Sequence, residues 1–163
     1  MRLWKKLLLG FLILSAVLIF LGFRFFNALQ KDLWTEEKEA IRIAQEQTEL
    51  TTASSVDPYV EENSLMVVHG TNKAGRKMLV WVAQDFVHPE YIDAGVDKEV
   101  IRHKTLRASP NAKIMRIVPG IYNKQYIWQS FFRVEENGGE RLYYEFYSFY
   151  DGVLLDRWEL SAK

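Results

Sequence analysis

The feature that most constrains this chain is an uncharged apolar stretch near its N-terminus, residues 7–23, with the sequence LLLGFLILSAVLIFLGF. It contains no proline, and Ser15 is its only polar side chain. As an α-helix, the stretch is about 25 Å long, close to the thickness of a bilayer's hydrocarbon core. Because backbone groups in lipid must be satisfied internally, we predict a transmembrane helix over residues 7–26. Its predicted membrane-facing side chains are Leu7, Leu14, Phe20 and Phe23.

The charges before this stretch indicate its orientation. Residues 1–6 contain Arg2, Lys5 and Lys6, so the positive-inside bias places them in the cytoplasm and everything after the helix outside. A cleaved signal peptide and an uncleaved signal anchor are both compatible with this pattern. Bulky Phe26 stands where cleavage before Ala28 would require a small residue, which favours the anchor. We therefore expect a single-pass cell-membrane protein with an extracytoplasmic C-terminal domain.

Composition excludes several classes of partner and cross-link. The 21 basic side chains balance the 21 acidic ones, so nucleic acid is not an expected partner. The chain has no cysteine, which excludes disulfides and an acylated lipoprotein anchor. The external part must therefore fold by packing alone.

Hydrophobic periodicity predicts an α+β fold of two tandem units after the transmembrane helix, each unit with a helix packed on an antiparallel sheet. The first unit, residues 32–85, has a helix to about Thr51 with Ala40 and Ala44 on its apolar stripe, followed by a hairpin. Residues 51–55 are expected to end the helix, and 85–94 to form a connector. The hairpin strands are predicted at 64–70 and 77–84.

The second unit, residues 95–161, repeats the order of helix and then strands. Its helix is predicted over residues 96–106, and its strands are predicted at 113–118, 125–135, 141–150 and 153–160. Turns are expected at Pro119-Gly120 with Asn123, at residues 137–139, and at Asp151-Gly152.

An aromatic run in the third of these strands is the main candidate for partner binding. Alternation places Tyr143, Tyr147 and Phe149 on one side of the strand, together with Glu145, so we expect that side to be the wetter one. Exposed rings in a row are typical of a protein-binding surface, and we predict that these three bind a partner. Burial between the two units is the alternative explanation.

No pattern in the sequence indicates catalysis, a cofactor or a metal. His88 with Glu90 and Asp93 is the nearest approach to a metal-ligand set, but a solvated loop explains it better; His69 and His103 stand apart. No nucleophile motif of a hydrolase or transpeptidase occurs. We therefore expect no catalytic residues, no cofactor-binding residues and no metal site.

A basic cluster between Lys98 and Lys124 offers a candidate surface for anionic wall polymers or lipid headgroups. Its further members are Arg102, Lys104, Arg107, Lys113 and Arg116. An exposed helix end and strand edge are the alternative explanation, and we favour it.

Two segments carry a resemblance to a known family: KEAIRIAQ at residues 38–45 and GGERLYYEFYSFYDGVLLD at residues 138–156. With the basic N-terminus and single anchor, the chain resembles the TseB (YpmB-like) cell wall elongation regulators of Gram-positive bacteria, whose outer part is PepSY-like, with a cystatin-like arrangement. The resemblance implies a non-catalytic protein that binds a class B penicillin-binding protein or another membrane wall-synthesis protein. An alternative is a PepSY-like inhibitor or chaperone of an exported protease or wall hydrolase.

Overall fold

The N-terminal part of the chain is one long helix. In a computed structural model, which describes residues 2–60, 64–136 and 139–160, α1 runs from Arg2 to Gln47. Residues 27–31, between the two predicted helices, are helical as well. The chain divides into two units, residues 1–39 and 40–163.

The membrane prediction falls on the first unit. Within the described residues, no helix combines the length and apolar character needed to cross a bilayer. The side chains of Leu14 and Phe20 are exposed. For Leu7 and Phe23 the structure describes the helical backbone but not the side chains.

The second unit contains two four-stranded antiparallel sheets and one further helix, which confirms the α+β class. The first sheet has the strand order β1-β2-β3-β4, formed by Leu50–Val60, Ser64–Asn72, Lys77–Val82 and Val87–Tyr91. A 3-10 turn, Ile92–Ala94, and α2, Lys98–Ala108, follow. The second sheet has the order β5-β6-β7-β8, formed by Lys113–Tyr122, Gln125–Glu136, Gly139–Ser148 and Leu154–Leu160.

Two strands of the first sheet correct the sequence-based expectation. Residues 51–55 do not end the helix; they belong to β1, which pairs with β2 over its whole length. Threonine and valine side chains suit an extended backbone, and Pro58 is tolerated because β1 is an edge strand. The expected connector over 85–94 likewise contains β4, which forms the opposite edge and carries Pro89.

The turns of the second sheet differ from the prediction at one place. Pro119 and Gly120 lie inside β5, and the chain reverses at Asn123 and Lys124, whose φ angles are 49° and 62°. Two successive residues with positive φ match a type I′ hairpin turn. The turn at Gly152, with φ of 65°, forms where predicted. Residues 137 and 138 of the third predicted turn lie outside the described residues, and Gly139 begins β7.

The first sheet is buried on both faces. Alternate side chains of β2 and β3, including Met66 and Val80, pack with Ala40 and Ala44 of α1. Side chains of the opposite parity, including Trp81, pack into a core shared with the second sheet. The period-two alternation of a strand therefore places a helix on one side and a second sheet on the other.

Helix α2 covers one face of the second sheet. It begins at Asp97, whose side chain accepts a hydrogen bond of 2.9 Å from the Glu99 backbone N–H. Just before α2, Val96 accepts a 2.9 Å hydrogen bond through its carbonyl from Trp128 Nε1. Within α2, Thr105 donates to Ser130 Oγ at 3.1 Å. The predicted unit boundaries, 32–85 and 95–161, stay a prediction.

Candidate binding groove and edge strand

A groove of about 610 Å³ lies between the two sheets. The loop after β3 contributes Asp85 and Phe86, the β5–β6 hairpin contributes Tyr122 and Lys124, and β8 contributes Trp158. Grooves of roughly 300–1,000 Å³ are typical of small-ligand sites. These residues come from three separate parts of the sequence, so only the folded chain brings them together.

One wall of the groove is a cluster of three aromatic rings. Tyr122 stacks on Phe146 with ring centroids 4.4 Å apart, and Trp158 meets Phe146 edge-on at 4.9 Å. Phe146 is fully buried, whereas 43% of Trp158 remains exposed. The buried ring therefore supports the other two from behind and leaves the indole accessible.

A single carboxylate fixes the two outer rings. Asp156 Oδ2 accepts hydrogen bonds from the Tyr122 hydroxyl at 2.5 Å and from Trp158 Nε1 at 3.0 Å. The Arg157 backbone N–H donates to Asp156 Oδ1 at 2.8 Å. These bonds, the Tyr122 one first, hold the pKa of the Asp156 carboxyl below its usual range. The aromatic wall is thus preorganised before any ligand arrives.

Replacing this carboxylate gives a test with a defined pH dependence. Asp156→Ala should lower the melting temperature at pH 7, because Tyr122 and Trp158 lose their shared acceptor. A lowered folded-state pKa means that the stabilisation exists above the unfolded pKa and is lost as pH falls through the folded pKa. The difference between wild type and variant should therefore shrink in acid. Asp85→Ala, which changes a carboxylate of the same groove, is the matched control. If the difference in melting temperature between wild type and Asp156→Ala stays constant with pH, the role given to the Asp156 carboxylate is contradicted.

The rim of the groove is polar. Asp85, Asn123 and Lys124 all line it and are all exposed. The positive φ angles of Asn123 and Lys124 fix the backbone of this turn beside the aromatic wall. The groove therefore combines an accessible aromatic ring with a carboxylate, an amide and an ammonium group.

Strand β8 presents a second candidate surface, because it is an edge strand with exposed apolar side chains. Val153 is 53% exposed, Leu154 46% and Leu155 38%. Leu154 pairs with Tyr147 and Asp156 pairs with Phe146, so a bulge leaves Leu155 outside the ladder. Adjacent exposed apolar side chains on a sheet edge favour aggregation unless another molecule covers them.

The three predicted partner-binding rings occupy a different position. Tyr143, Tyr147 and Phe149 are buried, and so is Glu145 on the same side of β7. The expectation that this side is the wetter one is wrong, because α2 and Arg157 lie over it. Binding of a partner by these three residues stays a prediction. The sequence predicts the strand over residues 153–160 but does not single it out as a surface; the apolar run Val153-Leu154-Leu155 was the available signal.

The residues considered for metal binding do not converge. His88 lies in β4, stacks on Tyr126 with centroids 4.1 Å apart, and is 3.3 Å from a Glu90 carboxylate oxygen. Asp93 instead forms an ion pair with Arg76 at 2.6 Å, which lowers the pKa of the Asp93 carboxyl. Among the described residues, no group of three potential ligands forms.

The basic cluster is partly used within the fold. Arg102 pairs with Glu99 at 3.1 Å, and Lys104 donates to the Gly152 carbonyl at 2.7 Å. The remaining helix-end and strand cations, Arg107, Lys113 and Arg116, are exposed. Polymer binding by this cluster stays a prediction.

Comparison with known proteins agrees with the resemblance drawn from the sequence. Residues 39–83 match the family model described as the cell wall elongation regulator TseB-like domain. The predicted resemblance is confirmed. The matched TseB-like segment covers the end of α1, with Ala40 and Ala44, and strands β1 to β3. It includes Tyr59 and Leu65, which also line the groove.

A similarity in fold extends beyond that segment. The structure is similar to the YpmB protein from Bacillus subtilis, with a TM-score of 0.62 and 19% sequence identity. The similarity covers 74% of this chain and 94% of the other. At this identity the likeness shows the fold alone. No curated protein matches the sequence.

Proposed function

We propose that the protein is a membrane-anchored extracytoplasmic regulator of cell wall elongation that binds a class B penicillin-binding protein and has no catalysis of its own. The match of residues 39–83 to the TseB-like family model is the observation that carries this proposal. The fold shared with the YpmB protein supports it.

The proposed anchor is the apolar segment over residues 7–26, with residues 1–6 as a short cytoplasmic tail. Its support is the uncharged stretch and the basic residues before it. A tether confines the folded unit to the membrane surface, which raises its effective concentration towards membrane-bound partners without any new contact. Regulation by docking therefore needs no chemical step.

The proposed docking surface is the start of β8 and the residue just before it: Leu154, Leu155 and the preceding Val153 are all exposed. Apolar contacts at the centre of an interface contribute most to affinity, and the polar residues around them exclude water. The penicillin-binding protein would cover this edge and remove its three apolar side chains from solvent.

The test is co-purification of full-length protein with the class B penicillin-binding protein after crosslinking from the outer face of intact cells. Changing Leu154→Ser and Leu155→Ser together should reduce capture at least about tenfold, as for loss of an interface hot spot. Met115→Ser is the matched control, because Met115 is 56% exposed and lies on β5 at the opposite edge of the same sheet.

Three outcomes would contradict the proposal. Capture of only an exported protease or wall hydrolase by the wild-type protein would replace the proposed partner and support the inhibitor alternative. Equal capture by wild type and the double variant would remove β8 as the docking surface. The wall can be removed while the membrane stays intact. If protease added outside such cells then leaves the folded unit uncut, the extracytoplasmic location is contradicted.

A further inference from the structure

We propose that the groove between the two sheets binds a neutral glycan built of N-acetylhexosamine units, with Trp158 as its stacking platform. The proposal goes beyond partner docking, because it assigns a second ligand to a surface separate from the exposed leucines of β8. It is argued from the rings, the polar rim and the charge balance of the groove.

The aromatic wall has the properties that recognition of a sugar ring requires. A pyranose presents a face of C–H groups that packs against the flat face of an aromatic ring. Trp158 is 43% exposed, and its indole is held by Asp156 at 3.0 Å and by Phe146 at 4.9 Å between centroids. Because the ring is already fixed, little rotamer entropy is lost when a ligand stacks on it.

The rim provides the complementary polar groups. The Asp85 carboxylate accepts hydrogen bonds, the Lys124 ammonium donates them, and the Asn123 amide does both. Hydroxyl and acetamido groups on a sugar need this mixture of donors and acceptors. Asp85 and Lys124 also carry opposite charges, which favours a neutral glycan over an anionic polymer.

The same rim disfavours a protein segment as the occupant. An apolar peptide that filled the groove would take Asp85 and Lys124 out of water without replacing their hydrogen bonds, which is costly. A glycan keeps those bonds through its own hydroxyl groups. The size of the groove, about 610 Å³, lies within the usual range for a small ligand.

The experiment uses full-length protein in a detergent without a sugar headgroup and a soluble oligomer of N-acetylglucosamine as the probe. Saturation-transfer NMR should show transfer from the protein to the sugar C–H protons and acetyl methyl groups. Trp158→Ala should weaken binding at least about tenfold, comparable to the loss of a ring-stacking contact. The Leu154→Ser, Leu155→Ser double variant should bind the sugar as wild type does.

Because Trp158 also contacts Phe146, thermal melting must show that Trp158→Ala is folded. Asp85→Ala provides a second variant that leaves the aromatic wall intact, and it should weaken sugar binding too. Absence of saturation transfer with folded wild type, or unchanged binding by both variants, would overturn the proposal. A third outcome would also overturn it: wild type binds no sugar, and Trp158→Ala loses a protein that wild type captures on crosslinking. The groove would then be a protein-binding site. The sugar assay contains no penicillin-binding protein, so its failure is distinguishable from failure of the proposed docking.

Discussion

Gly120→Ala is expected to lower the free energy of unfolding by about 3 kcal/mol, at the upper end of the usual cost of overpacking. A Cβ at this position would lie 2.6 Å from Tyr59 Cδ2 and 2.7 Å from its Cζ. Tyr59 is 3% exposed, so its ring has no open space to enter. The backbone cannot easily retreat either, because Trp81 Nε1 donates a buried 3.1 Å hydrogen bond to the Gly120 carbonyl. Urea unfolding measures the change.

Gly139→Ala is the matched control for this substitution. Gly139 also lies in a strand of the second sheet, but a Cβ there would come no closer than 4.0 Å to its nearest neighbour, the Glu136 carbonyl. We expect its unfolding midpoint to stay near that of wild type. Similar midpoints for both variants would show that the contact between Tyr59 and Gly120 is looser than described.

Arg157→Ala should be the second most damaging substitution, at about 2 kcal/mol. The Arg157 side chain is 37% exposed, so solvent screening keeps the cost below the range for removing one partner of a fully buried ion pair. Glu145 is fully buried, and its Oε1 lies 3.5 Å from Arg157 Nη1. Its Oε2 accepts a 2.6 Å hydrogen bond from the Tyr147 hydroxyl, which leaves Arg157 as the cation that faces the carboxylate. The Arg157 guanidinium also lies 4.3 Å from the centroid of the Tyr143 ring, and that contact would be lost too.

A double-mutant cycle separates the charge from the packing. Adding Glu145→Gln to Arg157→Ala should recover most of the lost stability, because the amide removes the uncompensated charge while keeping the shape. Arg141→Ala is the control, since its ion pair with Glu159 is exposed on both sides and should matter much less. If Glu145→Gln gives no recovery, the loss in Arg157→Ala comes from packing over Tyr143.

Local signals predicted much of the fold. Helix α2 was expected at residues 96–106 and forms at Lys98–Ala108, with acidic residues at its start and Arg107 in its last turn. Strand β1 was missed because its short polar side chains and Pro58 resemble a loop; only pairing with β2 makes it a strand. The sequence predicts a turn at Gly120, whereas the missing side chain of this residue allows the close approach of Tyr59.

The candidate site was less predictable for a related reason. Alternation along β7 correctly divides its rings between two faces, but it does not say which face another element covers. Helix α2 buries the side with Tyr147, while the groove between the sheets lies beside Tyr122 and Trp158. Because the groove is assembled from the loop after β3, the β5–β6 turn and β8, no single stretch of sequence contains its pattern.

The hydrophobic core common to both sheets limits what truncated variants of the chain can show. Trp81 from the first sheet and Phe149, just after the end of β7, meet edge-to-face at 5.5 Å inside it. Cutting the chain between the sheets would expose large rings on both fragments, so neither half is expected to survive as an independent piece. Truncation would therefore report loss of folding rather than loss of one task, and the roles of the groove and the edge strand are separable only by surface substitutions in the intact chain.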